Sequence, residues 1–317
     1  MTQQPVDQGM LSFYKELSKL SPAESAHWPL PAQRKGWDDA CRLFRAKRPD
    51  RLLVEDLDVD GVHVRVFRPP GEAPKPGVIY FHGGGWVLGS CETHDDMCAE
   101  MADEADCVVV LVDYRLAPEH PHPAQLEDSL KVTDWMRTSG RALGIDPDRI
   151  MGAGDSAGGQ MTVGLAMALR DAMQPQLRGM VLIYPVLGAD TETGSYLHNA
   201  NAPCLTREEM IFYLDSFLGP RGGANWTDPK AVPNLATDLS GLPPGYITVA
   251  AHDPLCDDGK IFHDKLKAAG IPVAIREEPA LCHSYMRARH HSTPAMAGFK
   301  AIVNAIRHLA HEGAMPD

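Results

Sequence analysis

The sequence predicts an α/β protein with a doubly wound, mostly parallel sheet flanked by helices, and three observations support this prediction. From about residue 77 onward, short apolar segments alternate with segments of helical periodicity. Residues 107–113 form an almost unbroken run of valine and leucine, which is typical of a central parallel strand covered on both faces. With 317 residues and 44% hydrophobic side chains, the chain can bury a substantial core without disulfides.

The first fifty residues have helical rather than strand character. Apolar side chains recur there at helical spacing in two stripes: Leu11, Tyr14, Leu17 and Leu20, followed by Ala40, Leu43, Phe44 and Ala46. From about residue 52 the period changes to two, with valine at 62, 64 and 66. This pattern predicts an antiparallel hairpin, which we expect the Pro-Pro-Gly turn at 69–71 to close.

The remaining elements follow in regular alternation, with one interruption. Strands are predicted at 77–81, 107–113, 149–153, 179–184, 246–250 and 272–276, and helices at 92–104, 123–137, 156–172, 257–269 and 295–309. Between residues 185 and 245 lie some sixty residues with one clear amphipathic helix, at 207–217. A normal connection takes only about 2 to 6 residues, so this stretch is interpreted as an insertion.

A serine lies in a predicted strand-to-helix turn at residues 154–158, Gly-Asp-Ser-Ala-Gly. An apolar strand before it and helical spacing after it are the context of a nucleophile elbow, where small neighbours prevent collisions. The turn would expose the Ser156 hydroxyl and place the N–H of Ala157 beside an attacked carbonyl. Ser156 is therefore the candidate nucleophile, and Ala157 is a candidate oxyanion donor.

A serine nucleophile needs a histidine to accept its proton and a third group to orient that histidine. In this architecture the partners are expected on loops after later strands, in the order serine, acid, histidine. Asp253 follows the strand at 246–250, and His283 follows the last strand. Asp257 and Asp258 are the alternative acids, although helix capping also explains them. Three further histidines are interpreted as solvated or helical positions: His263, His290 and His291.

Three consecutive glycines follow the strand at 77–81, in the sequence His-Gly-Gly-Gly-Trp at 82–86. Glycines leave backbone N–H groups unshielded, as an oxyanion site requires. A flexible turn would also explain three glycines, but their position after a buried strand and upstream of the serine turn favours the oxyanion site.

Four motifs together resemble the hormone-sensitive-lipase-like branch of the α/β-hydrolases, in particular its bacterial esterases. They are His-Gly-Gly-Gly-Trp at 82–86, Tyr-Arg-Leu-Ala-Pro-Glu at 114–119, Gly-Asp-Ser-Ala-Gly-Gly at 154–159 and Asp-Pro-Leu at 253–255. The resemblance runs from about residue 50 to the end and implies an α/β-hydrolase fold with a helical cap. By resemblance, the nucleophile, general base and orienting acid are Ser156, His283 and Asp253, and the oxyanion donors are Gly84, Gly85 and Ala157.

The resemblance also implies a division of the chain. We expect a catalytic core of residues 51–186 and 241–317, and a cap of residues 1–50 and 187–240. Two places depart from the family pattern. Ser284 and Tyr285 follow His283 where glycine and phenylalanine are usual, and His122 stands where phenylalanine is usual. The first departure is expected to add hydroxyls near the leaving group, and both are expected to alter local pocket shape rather than the reaction class.

Composition and spacing exclude several other functions. The formal net charge of −12 argues against nucleic acid and anionic membranes as partners, and the basic residues at 45–51 are interpreted as a solvated helix end. The seven cysteines have no metal-ligand spacing and are expected to be reduced and packed. No metal or other cofactor is expected, and no H-E-x-x-H pattern occurs. Without a leader or a long apolar run, the protein is predicted to be cytoplasmic.

The sequence thus predicts a serine carboxylesterase that hydrolyses short- to medium-chain esters through an acyl-enzyme. The expected partner is a small-molecule ester, and the oligomeric state is expected to be monomer or homodimer. One alternative is a small-molecule binding protein similar to the plant gibberellin receptors, in which the catalytic histidine is replaced; His283 argues against it. Another alternative is an amidase or lactonase, because the same residues can attack those carbonyls.

Overall fold

A single eight-stranded sheet organises the protein. The computed structural model describes residues 4–20, 28–72 and 74–315. The strand order is β1-β2-β4-β3-β5-β6-β7-β8; β1, β2 and β4 pair antiparallel, and the other neighbours pair parallel. The strands are β1 Leu53–Val59, β2 Val62–Arg68, β3 Lys75–Phe81, β4 Val108–Asp113, β5 Ile145–Asp155, β6 Met180–Ile183, β7 Gly245–His252 and β8 Val273–Cys282. The predicted mostly parallel sheet is confirmed.

Helices cover both faces of the sheet. They are α1 Gln8–Leu17, α2 Leu30–Leu43, α3 Cys91–Ala105, α4 Ala124–Thr138, α5 Ala157–Asp171, α6 Gly194–His198, α7 Arg207–Leu218, α8 Cys256–Ala268 and α9 Thr293–His311. One apolar cluster joins α4, α5, α7 and α8 to one face, and a second joins α1, α3 and α9 to the other. The sheet is therefore doubly wound, and each face carries its own buried core.

The hairpin of β1 and β2 closes at a different turn from the one predicted. Its strands pair from Leu53 opposite Arg68 to Val59 opposite Val62, so the turn lies at Asp60 and Gly61. These two residues have φ angles of 48° and 84°, as a type I′ hairpin turn requires. The prediction of a closing turn at 69–71 is wrong because proline fixes φ near −65° and cannot supply these angles.

The N-terminal segment is helical, as predicted, but of the predicted stripes only Leu17 and Ala40 are buried. In α1 the buried residues are Met10, Phe13 and Leu17, whereas Leu20 is 40% exposed. In α2 the buried residues are Ala40 and Cys41. The predicted stripe followed every third residue and drifts off one face, because an α-helix has 3.6 residues per turn. Residues 1–3 and 21–27 of the predicted cap segment lie outside the described residues.

The basic residues at 45–51 are partly solvated, as predicted, but they lie beyond the end of α2, and their arginines are paired. The arginines bind acidic residues of α3 in three pairs: Arg45 with Glu92, Arg48 with Asp95, and Arg51 with Asp103. Because the Asp95 side chain is fully buried, these pairs fix the chain between α2 and β1 against α3.

Within the described residues, no helix is both long and apolar enough to cross a membrane.

Candidate active site

Ser156 occupies the turn between β5 and α5, with φ 56° and ψ −118°. Such angles cost a non-glycine residue about 1–3 kcal/mol and persist only where the surroundings enforce them. A Cβ on Gly158 would overlap the Phe81 carbonyl oxygen, and a Cβ on Gly154 would overlap Gly158. The Ser156 N–H donates to Ile183 O at 2.9 Å. The turn is thus held by backbone packing, as expected for a nucleophile elbow.

Three residues far apart in sequence form a hydrogen-bonded line. His283 Nε2 lies 3.0 Å from Ser156 Oγ, and His283 Nδ1 lies 2.7 Å from Asp253 Oδ2. The other carboxylate oxygen of Asp253 accepts the Leu255 N–H at 2.8 Å. The three side chains are buried, with Ser156 6%, His283 4% and Asp253 0% exposed. The structure therefore brings together all three residues predicted as nucleophile, base and acid.

The alternative histidines take part in other contacts. His263 lies beside Asp264, His290 binds Glu100, and His291 stacks on Phe13. None of these contacts involves Ser156.

The three backbone N–H groups predicted as oxyanion donors belong to two segments, the start of α5 and the glycine loop between β3 and α3. Ala157 is the first residue of α5, so its N–H has no partner within the helix. In the part of the chain that the structure describes, the N–H groups of Gly84 and Gly85 also donate no hydrogen bond. Gly84 and Gly85 have φ angles of 128° and 60°, and a Cβ on Gly84 would overlap the Leu88 carbonyl. Only glycine fits the first of these positions.

Asp155 ties this glycine loop to the elbow, a role that sequence reasoning missed. Its Oδ1 accepts the Gly83 N–H at 3.0 Å and the Tyr80 hydroxyl at 2.9 Å, and its Oδ2 lies 3.3 Å from His94 Nε2. Burial alone would raise the pKa of Asp155, but the His94 ring, Arg287 and these hydrogen bonds hold the pKa below its ordinary value. Asp155 is thus a buried carboxylate that anchors the loop of Gly84 and Gly85.

The loop that carries Asp253 is bound by the insertion between β6 and β7. Asn199 Nδ2 donates to the carbonyls of Ala251 and Asp253, both at 3.0 Å. Ser195 Oγ donates to Pro254 O at 2.6 Å. Asp257, one alternative acid, accepts the Ser195 N–H at 2.8 Å. The insertion therefore holds the acid loop on both sides of Asp253, and Asp257 belongs to that attachment.

Asp258, the other alternative acid, also binds the insertion. Its Oδ2 accepts the N–H groups of Leu187 and Gly188 at 2.8 Å and lies 3.3 Å from the Tyr196 hydroxyl. Burial raises the pKa of Asp258 to about 7, with Asp253 adding to the shift and the three donors opposing it. Helix capping is therefore an incomplete explanation of Asp257 and Asp258, because both also bind the insertion.

The segment after His283 is held by α1 and by the core. Tyr14 of α1 donates its hydroxyl to Ser284 O at 3.1 Å, and Ser284 has φ 57°. The Tyr285 hydroxyl donates to Thr248 Oγ1 at 3.0 Å, and this side chain is fully buried. The expectation of a Tyr285 hydroxyl near a leaving group is wrong, because a buried phenol takes the partner that the neighbouring strand β7 offers.

Helix α7 lies against the glycine loop. The indole of Trp86 stacks on Phe217 with ring centroids 4.0 Å apart and donates to Gln160 Oε1 at 2.9 Å. A Cβ on Gly85 would overlap the ring of Tyr213. His122, which replaces the usual phenylalanine, bonds Asp228 at 2.9 Å. It therefore adds a polar attachment between the start of α4 and the insertion.

Two cavities among the described residues are lined by neither Ser156 nor its hydrogen-bonded partners. One lies between α1, α3 and Arg287, and the other lies behind Phe217, next to Gln160. Ser156 is 6% exposed, and the ring of Tyr213 lies against Gly85 of the glycine loop.

One group of side chains has the donor types of a metal site: His63, Cys91 and Asp113, whose ligand atoms lie within 4.8 Å of one another. His63 Nδ1 is 3.3 Å from Asp113 Oδ2, which is also the geometry of an ordinary histidine–carboxylate contact. The group does not include Ser156 or its partners, and sequence spacing gave no sign of it.

The fold and this site define an α/β hydrolase. A family described as the alpha/beta hydrolase fold matches residues 78–287, and the chain belongs to this family. The resemblance to hormone-sensitive-lipase-like esterases and the predicted fold class are confirmed.

Individual relatives agree with this assignment. The chain is 40% identical over 259 residues to the carboxylesterase NlhH of Mycobacterium tuberculosis, covering 77% of this chain and 80% of that protein. It is 42% identical over 242 residues to the esterase LipI of the same species, covering 74% and 75%. Among solved structures, the esterase of Pyrobaculum calidifontis is similar with a TM-score of 0.86 and 30% identity, covering 96% of this chain and 99% of that one.

Proposed function

We propose that the protein is a serine carboxylesterase, with Ser156 as nucleophile, His283 as general base and Asp253 as the acid that orients the base. The observation that carries this proposal is the line of hydrogen bonds of 3.0 and 2.7 Å from Ser156 Oγ through the imidazole to Asp253. The names of the relatives NlhH and LipI, a carboxylesterase and an esterase, support it.

The chemistry follows from these positions. With Nδ1–H donated to Asp253, the Nε2 lone pair faces the Ser156 hydroxyl and accepts its proton as Oγ attacks the ester carbonyl. The N–H groups of Gly84, Gly85 and Ala157 bind the oxyanion, and each donor is worth on the order of 10²- to 10³-fold in turnover. The imidazolium protonates the leaving alcohol, and a water activated by the same ring then hydrolyses the acyl-enzyme.

The proposed substrate is a small ester with an acyl chain of about two to eight carbons. Residues 1–50 and 187–240 are proposed as the cap, and residues 51–186 and 241–317 as the core. Contacts of α7 with Gly85 and Trp86 support the cap, since they place apolar side chains over the glycine loop. A closed apolar pocket gains about 0.8 kcal/mol per buried methylene until the chain no longer fits.

We also propose a cytoplasmic location, a monomer or homodimer, and catalysis without a metal or cofactor. Seven free cysteines, six of them buried, favour a reducing compartment. Activation of Ser156 needs no metal, because His283 serves as the base that accepts its proton.

The first experiment measures turnover of aryl esters from acetate to palmitate, together with a matched anilide and a lactone. We expect the highest kcat/KM between acetate and octanoate, and no increase above the solubility limit of the substrate. Faster cleavage of the anilide or the lactone would support the amidase or lactonase alternative. Preference for palmitate would contradict the capped pocket.

Ser156→Ala provides the second test. The variant should fold, since alanine suits a turn that already excludes larger residues, and should lose about 10⁴-fold or more in kcat. Ser129→Ala is the control, because it removes another buried hydroxyl, one that bonds Gln125 O on α4. Turnover by Ser156→Ala above a few per cent of the parent would overturn the assignment. Tight ligand binding with no hydrolysis by the parent protein would favour the receptor alternative.

A further inference from the structure

Three sulfur atoms meet where α1, the insertion and the end of β8 come together. Cys204 Sγ lies 3.1 Å from Cys282 Sγ, and Cys282 Sγ lies 3.6 Å from Met10 Sδ. Cys204 belongs to the loop between α6 and α7, and Cys282 directly precedes His283. The two thiols are 78 residues apart in sequence, so this contact joins the insertion to the loop of the proposed base.

The two thiols differ in access. Cys282 is fully buried, whereas Cys204 is partly exposed. A small oxidant therefore reaches Cys204 first, with Cys282 in position to react next. This order is that of an attacked and a resolving cysteine.

We propose that Cys204 and Cys282 are an oxidation site that forms an intramolecular disulfide with a small peroxide, and that this disulfide slows the enzyme. Hydrogen peroxide oxidises the Cys204 sulfur to a sulfenic acid and is itself reduced, releasing water. The Cys282 sulfur then attacks the Cys204 sulfur, the S–S bond forms, and the sulfenic oxygen leaves as a second water. Two thiols and one peroxide thus give one disulfide and two waters.

The effect on turnover follows from the position of Cys282. A disulfide bond is about 2.05 Å long, so the two sulfurs must approach by about 1 Å. Cys282 is bonded to His283, whose Nε2 must stay within reach of Ser156 Oγ, and a misplacement of about 1 Å can cost about 10²-fold. The loop of Cys204 and the loop of Cys282 can each move part of this distance, so His283 shifts by less than about 1 Å. We therefore expect kcat to fall about tenfold. This half of the inference rests on the proposed function, whereas the cross-link does not.

The surroundings predict a slow reaction at neutral pH. Burial and the neighbouring Cys282 raise the pKa of the Cys204 thiol, and the thiolate is the reactive form. Tyr14 of α1 and Asp253 of the acid loop also interact with this thiol. The rate of cross-linking should therefore increase about tenfold for each pH unit between pH 7 and 9.

The experiment treats the whole protein with hydrogen peroxide at pH 8, alkylates the remaining thiols after denaturation, and counts them by mass spectrometry. The parent should fall from seven free thiols to five, because one disulfide consumes two, and a cross-linked peptide pair should contain Cys204 and Cys282. Dithiothreitol should restore both the thiols and the activity. Cys204→Ser should keep its six thiols and its turnover, whereas the control Cys107→Ser should fall from six to four.

Each other result contradicts a defined part of the inference. Oxidation of Cys204 to a sulfinic acid would overturn the proposed site. A disulfide between Cys204 or Cys282 and another cysteine would also overturn it. A cross-link at Cys204 and Cys282 without loss of turnover overturns the inhibition. The cross-link should also form in Ser156→Ala, so a failure of the esterase proposal leaves the thiol result unaffected.

Discussion

The turn that carries Ser156 and the loops that carry Asp253 and His283 are held in place by different kinds of contact. Around Ser156 the constraints are backbone ones, from glycines that allow β3, β5 and α5 to approach closely. Around Asp253 and His283 they are side chains from distant segments, with Asn199 54 residues from Asp253 and Tyr14 270 residues from Ser284. The nucleophile is therefore positioned by its own motif, and the acid and base by the proposed cap.

This difference implies that damage to the cap should reach the chemistry through the acid and base rather than through the serine. Substitutions of Asp253 and of the residues that bind its loop can test this. They distinguish a residue that takes part in the hydrogen bonds to Ser156 and His283 from residues that only hold the loop in place.

The largest effect is expected for Asp253→Asn. An amide cannot stabilise the imidazolium and favours the wrong tautomer of His283, a change that costs about 10⁴-fold in kcat in serine proteases. The matched control is Asp257→Asn, whose amide oxygen can still accept the Ser195 N–H and which should stay within about threefold of the parent. Steady-state kinetics on one aryl ester measures both. Similar losses in the two variants would contradict the choice of acid.

An intermediate effect is expected for Asn199→Ala. The change removes both hydrogen bonds that the insertion makes to the carbonyls of Ala251 and Asp253. Each is worth about 1 kcal/mol, and partial relaxation of the loop should lower kcat about tenfold while KM changes little.

Asn225→Ala is the matched control for Asn199→Ala. Asn225 also lies in the insertion and also donates its amide to two carbonyls, those of His122 and Leu218. The Asn225→Ala variant should lose about as much unfolding free energy in a urea titration as Asn199→Ala, but it should retain the kcat of the parent. Equal losses of kcat in the two variants would show that the insertion acts on the site as a whole rather than through the acid loop.

The smallest effect on turnover is expected for Asp258→Asn, which instead changes the pH dependence of stability. The pKa of Asp258 is raised from 3.8 to about 7 by burial, so the folded protein holds this proton more tightly than the unfolded chain. The contribution of Asp258 to the free energy of unfolding should therefore fall between pH 4 and pH 7, by at most about 1.4 kcal/mol per pH unit. Above about pH 7 it should level off.

The measurement is the difference in unfolding free energy between the parent and Asp258→Asn from pH 4 to pH 8. The asparagine variant lacks the titrating proton, so it should gain relative to the parent as the pH rises, with turnover within about twofold. A difference that does not vary with pH would contradict the raised pKa.

The same contrast explains what the sequence could predict. The turn at 154–158, the glycines at 83–85 and the alternation of strands and helices are local patterns, and they correctly predicted the sheet and the position of Ser156. Asp253 and His283 were predicted from their place after strands, since the fold fixes where those loops emerge.

The errors concern contacts between distant segments. Nothing near Asn199, Tyr14 or Asp258 in the sequence indicates which loop each will bind, because those partners are set by tertiary packing. The buried face of α1 was predicted only in part for the same reason. Two overlapping apolar stripes are present, and packing against the neighbouring helices determines which one is buried. The hairpin turn is different: Asp60 and Gly61 are a local turn signal, which the Pro-Pro-Gly sequence at 69–71 obscured.

The stack of Trp86 on Phe217 gives the protein an intrinsic optical reporter. Of the five tryptophans, Trp86 is the one on the glycine loop; it is 1% exposed, and its indole lies nearly parallel to a ring of α7, at 5°. Indole emission shifts to longer wavelength when water reaches the ring. Displacement of α7 would expose the Trp86 ring to water and shift its emission to longer wavelength. The emission maximum therefore reports whether α7 is packed on the glycine loop, and no attached dye is needed. Stopped-flow fluorescence could therefore time that movement separately from bond cleavage.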